Sequence, residues 1–317
     1  MRLATPALLL LASAGLFGQQ QSGPRAEDNT RLLLERVAAA PKLPLEQDRI
    51  RLQPPMAGWK VEMVSSVAVG PDGVHYLLQR GPDADPVVAV NAQGRVLRSW
   101  GAGLYTIPHS IRVAPNGNVW TVDSGSSQVY EFSPLGEQLL HIDVGEMPEK
   151  ASAFRGTADI AFAPDGNLLI ADGYGNARIL EYTPTGQRVR EFGRPGTGPG
   201  ELNLPHAVAV DERGVIYVGD RENGRVQRFT REGRYIDQWD GLGKTYCLQL
   251  DGDSIWLASH RVDEPNGSLG WILRLDRETG KVLGLVSSPG THSITLNAAG
   301  EPITGNRPDQ VLWFRAK

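Results

Sequence analysis

Cysteine is almost absent from this sequence. Cys247 is the single one in 317 residues, so no disulfide can form within the chain. The fold must therefore rest on buried apolar surface, which a domain of this size supplies without cross-links. An excess of charge is lacking too: 32 Lys and Arg stand against 36 Asp and Glu, a net charge of −4. The two signs are interspersed, which excludes the basic stripe of a nucleic-acid surface. Beyond the N-terminus no apolar run is long enough to span a bilayer. Histidine is scarce, with six in all, and their placement carries most of the argument below.

Turn chemistry, by contrast, is abundant: 37 Gly and 22 Pro suit a β-rich chain, in which one domain can run to about 250 residues. The opening MRLATPALLLLASAGLFGQQQ has one positive charge at Arg2, an apolar stretch from Ala4 to Phe17 and small residues before a polar run. That is a signal-peptide pattern with a cut near Gly18, too short for an anchor. The expected organisation is a signal peptide over 1–18, a polar linker over 19–57 in which DNTRLLLERVAA could form a short helix, and a folded domain over 58–317. Export to a periplasm or the medium follows, with no membrane contact after cleavage.

Six segments of one kind recur. VAVGPDGVHYLLQ starts at Val67, IRVAPNGNVWTVD at Ile111, IAFAPDGNLLIAD at Ile160, VAVDERGVIYVGD at Val208, LQLDGDSIWLAS at Leu248 and ITLNAAGEPITG at Ile294, spaced 40–49 residues apart. Each alternates apolar and polar residues, turns at a Gly- or Asp-containing corner and alternates again, the pattern of a strand–turn–strand. Outer strands such as RVLRSWG and RYIDQWD follow. Four strands per unit at this period make a β-propeller, all-β with six four-stranded blades. The sixth unit supplies only three strands. GWKVEM, Gly58 to Met63, is a candidate for the missing outer strand.

The residue two before each repeat start is Ser65, His109, Ala158, His206, Tyr246 and His292. Three of the six histidines thus share one structural position on alternate blades, about a third of a turn apart around the channel. Three neutral imidazoles converging on an axis suit a catalytic zinc with one position left open. The other three, His75, His141 and His260, share no such position and read as surface or turn residues. The second strand returns to the same mouth. Seven residues past the corner Gly stand Arg80, Ser124, Gly173 and Arg221, with Tyr174 one further on between two glycines. Arg80 and Arg221 have the planar fork that clamps a carboxylate. Tyr174, beside a cation and two arginines, is a candidate base whose pKa such neighbours lower. Asp123, Asp172 and Asp220 end the same strands and read as structural acceptors at the blade corners.

The segments PHSI, DGYGNARILEY, PGTGPGELNLPHAVAV and VGDRENGRVQRF resemble the NHL-repeat propeller of peptidyl-α-hydroxyglycine α-amidating lyases, over roughly Val61 to Phe314. The resemblance implies a zinc ion on His109, His206 and His292, a catalytic Tyr174, and two active-site arginines at Arg80 and Arg221. It implies cleavage of the C–N bond of an N-acyl- or peptidyl-α-hydroxyglycine, a small molecule or a peptide, to an amide and glyoxylate, by a chain expected to act as a monomer. The family carries an Asp after the third histidine, where it helps bind a structural calcium. Ser293 stands there, which removes the charged ligand and leaves only backbone carbonyls near Val67 and Ile111 to take part. The disulfides of animal members cannot form, and the copper monooxygenase that precedes the lyase step in animals has no counterpart here. Two other readings of the residues remain open: a non-catalytic NHL propeller that binds a partner on one face, and a propeller hydrolase of the lactonase type. The latter generally holds calcium through carboxylates and Asn, whereas a three-His set favours zinc.

Overall fold

A computed structural model describes residues 26–149, 152–263, 269–306 and 310–317; the signal-peptide reading of 1–18 lies outside them. No helix among the described residues is long and apolar enough to cross a membrane. Six four-stranded antiparallel sheets follow one another around a ring. Their inner strands are Val64–Val69, Pro108–Val113, Asp159–Phe162, Pro205–Val210, Lys244–Asp251 and Thr291–Leu296. Each inner strand contacts the next, and the sixth returns to the first. A β-strand buried on both faces reads as an apolar run with little alternation. The second strands of blades one to five do so: His75–Gln79, Val119–Asp123, Leu168–Asp172, Ile216–Asp220 and Ser254–His260 are buried along their whole length. The core is divided into clusters of apolar side chains packed mainly between neighbouring blades.

The ring closes through the N-terminal segment. Leu45–Arg49 pairs antiparallel with Gln310–Ala316 and becomes the outer strand of blade six. This corrects the assignment of that role to Gly58–Met63, which lies outside every sheet. A closed ring leaves only short, protected strand edges, and stitching the first strand to the last joins the two ends of the chain. The stretch read as a linker also holds a helix, Ala26–Ala39. Its Leu33 is fully buried against blades four and five, near Trp239, Leu242 and Leu257. Asn29 ties the same helix down: its Nδ2 donates to the Asn223 carbonyl at 2.5 Å and its Oδ1 accepts from the Gly241 amide at 3.2 Å.

The corner aspartates are acceptors, as expected. Asp123 takes the Thr106 and Ile107 amides, Asp172 takes Asn176 and Arg178, and Asp220 takes the Asn203 amide and the buried Arg225.

Leu33→Ala removes a fully buried side chain at the helix–blade contact. It is expected to cost about 2–5 kcal/mol of stability in urea titration.

Candidate metal centre and active site

The position shared by the three histidines is a β-bulge. Pairing of inner and second strands slips between Val64 and Ser66, Pro108 and Ser110, Pro205 and Ala207, Thr245 and Cys247, and Thr291 and Ser293. The skipped residues are Ser65, His109, His206, Tyr246 and His292. In blade three the inner strand begins at Asp159, so Ala158 stands just ahead of it. A bulge leaves one residue unpaired and re-aims its side chain. Here it turns three imidazoles toward the channel axis.

The three rings form a nearly equilateral triangle, with centroids 4.8, 4.9 and 5.1 Å apart. All three are buried, and their potential ligand atoms lie within 4.8 Å of one another. Each Nδ1 faces the main-chain carbonyl at the equivalent position of the next blade: His109 to Ala158 at 2.7 Å, His206 to Tyr246 at 2.8 Å and His292 to Ser65 at 2.7 Å. A carbonyl only accepts, so Nδ1 carries the proton and Nε2 the lone pair. This is the outer-sphere arrangement that fixes tautomer and ring orientation in metal-binding histidines. The His206 pKa lies well below its ordinary 6.5. Burial is the largest cause, followed by His109, Arg221 and His292.

Tyr174 reaches this focus from blade three. Its backbone is held by an N–H bond to the Gly156 carbonyl. The flanking glycines permit close approach: a Cβ on Gly173 would lie 1.9 Å from the Pro205 oxygen, and one on Gly175 would lie 2.5 Å from the Arg155 oxygen. The phenol oxygen sits 3.0 Å from Nε2 of His109 and 3.0 Å from Nε2 of His206. A phenol has one proton and can satisfy only one of these two acceptors. Three buried nitrogen donors this close together could hold a metal ion.

Both arginines belong to the same mouth. Arg221 lies between two aromatic rings, 5.5 Å from the Tyr174 centroid and 5.2 Å from that of Tyr246, and Nη1 is 3.4 Å from the Tyr174 oxygen. Its fork also holds Glu222. Arg80 donates from Nε to the Pro108 carbonyl, next to His109, at 2.8 Å and covers the Phe154 ring. The structure thus brings His109, His206, His292, Tyr174, Arg80 and Arg221 together. The expectation of a lowered Tyr174 pKa is not met by these residues alone. Burial raises it, and the opposing pull of Arg221 and Arg80 is smaller.

Two histidines read as surface or turn residues are in fact buried. His75 is enclosed in blade one, edge-on to Trp313. His260 is enclosed near the triad, 4.6 Å from the Tyr246 ring, which itself packs on His206 and His292. In strand register His260 stands where Arg221 does in blade four. Counting from the corner glycine misses it, because blade five turns at Asp251–Ser254 with a different loop. His141 is exposed, as expected. Phe154 was also missed. It packs 5.0 Å from Tyr174 and edge-on to His109, and no repeat position marks it.

Comparison with known proteins bears on the family. The NHL repeat family model matches residues 202–229. A probable peptidyl-α-hydroxyglycine α-amidating lyase of Caenorhabditis elegans is 31% identical over 244 residues, 72% of this chain and 69% of that protein. This chain belongs to the peptidyl-α-hydroxyglycine α-amidating lyase family. Peptidyl-glycine α-amidating monooxygenase A of Xenopus laevis is 31% identical over 170 residues, 50% of this chain but 18% of its own length. The chain therefore spans only a small part of that relative. Among solved structures, streptogramin B lyase superposes with a TM-score of 0.58 at 14% identity, over 86% of this chain and 98% of that one. At that identity the likeness concerns the fold.

The buried neutral histidines make a pH prediction. Desolvation lowers the His75 pKa, and burial with neighbouring charge lowers that of His206. As pH falls, the unfolded chain binds these protons first. Their contribution is complete above about 6.5 and is lost as pH falls toward the folded values. Metal-free protein should therefore show a lower urea midpoint at mildly acidic than at neutral pH. A flat profile would mean that these imidazoles are protonated in the fold.

Proposed function

We propose that this protein is a zinc-dependent lyase that splits an N-acyl- or peptidyl-α-hydroxyglycine into an amide and glyoxylate. The observation that carries the reading is the convergence of three Nδ1-anchored imidazoles, with the Tyr174 hydroxyl against Nε2 of His109 and of His206. A non-catalytic propeller gives no reason to turn three lone pairs into one buried point. A carboxylate-held calcium, as in lactonase-type sites, does not suit three nitrogen donors.

His109, His206 and His292 would hold the zinc, which when bound supplies Lewis acidity toward the substrate hydroxyl. Arg80 and Arg221 receive the substrate carboxylate, and a planar fork can offer it two parallel hydrogen bonds. Tyr174 takes the hydroxyl proton. The O–H electron pair becomes the second bond of the new aldehyde C=O. The C–N pair leaves with the amide nitrogen, which then takes up a proton. The products are the primary amide and glyoxylate, with no oxidant or water consumed. Burial favours the neutral phenol, and the two guanidinium groups favour the phenolate, so Tyr174 depends on local positive charge to act as a base. Phe154 and Tyr246 wall the site with apolar surface and limit water around the reacting atoms.

Purified protein should contain about one zinc per three-His site by elemental analysis, and His206→Ala should lose it. Zinc-loaded protein should release glyoxylate from α-hydroxyhippurate. Tyr174→Phe should keep its zinc and lose about 10²–10⁴-fold in kcat. A well-folded protein without zinc, or zinc-loaded protein that makes no glyoxylate, would overturn the assignment.

A further inference from the structure

Directly beneath the three rings lies a second layer of side chains. The residue after each bulge is Ser66, Ser110, Asp159, Ala207, Cys247 or Ser293. Three of them accept a backbone N–H from the next blade: Asp159 from Val208, Cys247 from Ile294 and Ser293 from Val67. Asp159 is the one acid of the layer. Its Oδ1 accepts from the Ser110 hydroxyl at 2.6 Å and Arg112 Nε at 3.0 Å, and its Oδ2 accepts from Arg112 Nη2 at 2.5 Å and the Val208 amide at 3.3 Å. Arg112 extends from blade two across the channel to blade five, with Nη2 3.4 Å from the Leu248 carbonyl and 3.6 Å from Cys247 Sγ. It lines both the small cavity against the histidines and the wider one of about 320 Å³ that opens on the opposite mouth. The guanidinium is thus a partition across the axis.

A calcium ion does not fit this layer. It takes six to eight oxygen ligands, carboxylates foremost. Ser293 brings no charge, and its hydroxyl oxygen already accepts from the Val67 and Gly305 amides. Asp159 has about four lone-pair positions, and four donors fill them. The positive charge on the axis is covalent.

We infer that Arg112, held by Asp159, is a built-in cation that braces the channel in place of a structural calcium and positions the three histidines above it. Each end of the pair reaches a triad strand. Ser110 adjoins His109, Val208 lies two residues past His206, and Cys247 bonds the Ile294 amide two residues past His292. Asp159 itself follows Ala158, whose carbonyl anchors His109. Arg112 and Asp159 are positioning residues, since neither touches the focus of the Nε2 atoms.

The role at the triad rests on the metal reading above; the replacement of calcium does not. Thermal unfolding of the metal-free wild type should be the same with added calcium as without it. A higher melting temperature with calcium would overturn the internal-cation assignment, whether or not zinc binds. Zinc affinity by chelator competition, with cobalt(II) absorption reporting ligand geometry, should fall about 10–100-fold in Arg112→Met, the range for outer-sphere partners. Arg112→Lys, which keeps the charge but loses the fork, should recover part of it. Should Arg112→Met fail to fold, Arg112→Lys and the paired Arg112→Met/Asp159→Leu variant, which leaves no unpaired charge, provide the same comparison. Unchanged zinc affinity and cobalt spectrum in a folded variant would refute the positioning role. Absence of zinc binding in the wild type would instead refute the metal reading.

Discussion

Three buried imidazoles face one another across the channel, a set that could hold a metal ion, and much of the rest of the structure bears on how they are aimed. The cause is in the backbone. Each histidine occupies a bulge, and each donates its Nδ1 proton to the carbonyl at the matching position of the following blade. That bond decides which nitrogen is left free. The six equivalent positions, five of them bulges, therefore divide into two sets of three that alternate around the ring. One set supplies imidazoles; the other, Ser65, Ala158 and Tyr246, supplies the carbonyls that aim them. A substitution that preserved the imidazole but shifted a neighbouring blade would disturb the site as surely as loss of a ligand, because outer-sphere partners control ligand orientation.

Ring closure serves the same end. The inner strands define the axis, and their mutual spacing depends on every blade being held in place. The strand Leu45–Arg49 completes blade six, and the helix before it wedges Leu33 into the interface of blades four and five. Those blades carry His206 and the carbonyl of Tyr246. Residues remote in sequence from any chemistry thus help fix the distance between a ligand and its anchor.

How much of this could be read from the sequence depends on whether the signal was a repeat or an exception to one. The triad was legible because His109, His206 and His292 keep one offset from the repeat start. Arg80 and Arg221 were legible for the same reason, counted from a corner glycine. His260 escaped that count because blade five turns differently, and strand register rather than loop length would have found it. The closing strand escaped because LEQDR sits at the rim with four of its five residues exposed. It has little of the apolar alternation by which strands are recognised, and the more apolar Gly58–Met63 looked better. Phe154 lies at no repeated position; Arg112 and Asp159 do, but as exceptions to it, Asp159 being the one acid among Ser, Ala and Cys at its position. Burial of His75 and His260 is a tertiary fact with no local mark.

The balance of charge around Tyr174 links the tyrosine to the triad energetically. Burying an ionised group costs several kcal/mol even after the protein relaxes. A unit charge at about 4 Å returns about 4 kcal/mol at an effective dielectric constant of 20. Arg221 and Arg80 both favour the phenolate, yet burial outweighs them. Arg221 spends part of its field on Glu222, and Arg80 is turned toward the Pro108 carbonyl and Phe154. The phenol oxygen also stands against two histidine nitrogens, and a cation held by them would supply the charge still needed. With a cation bound there, ligand set and base would form a single unit, and Tyr174 would lose its activation with the cation even with every side chain in place.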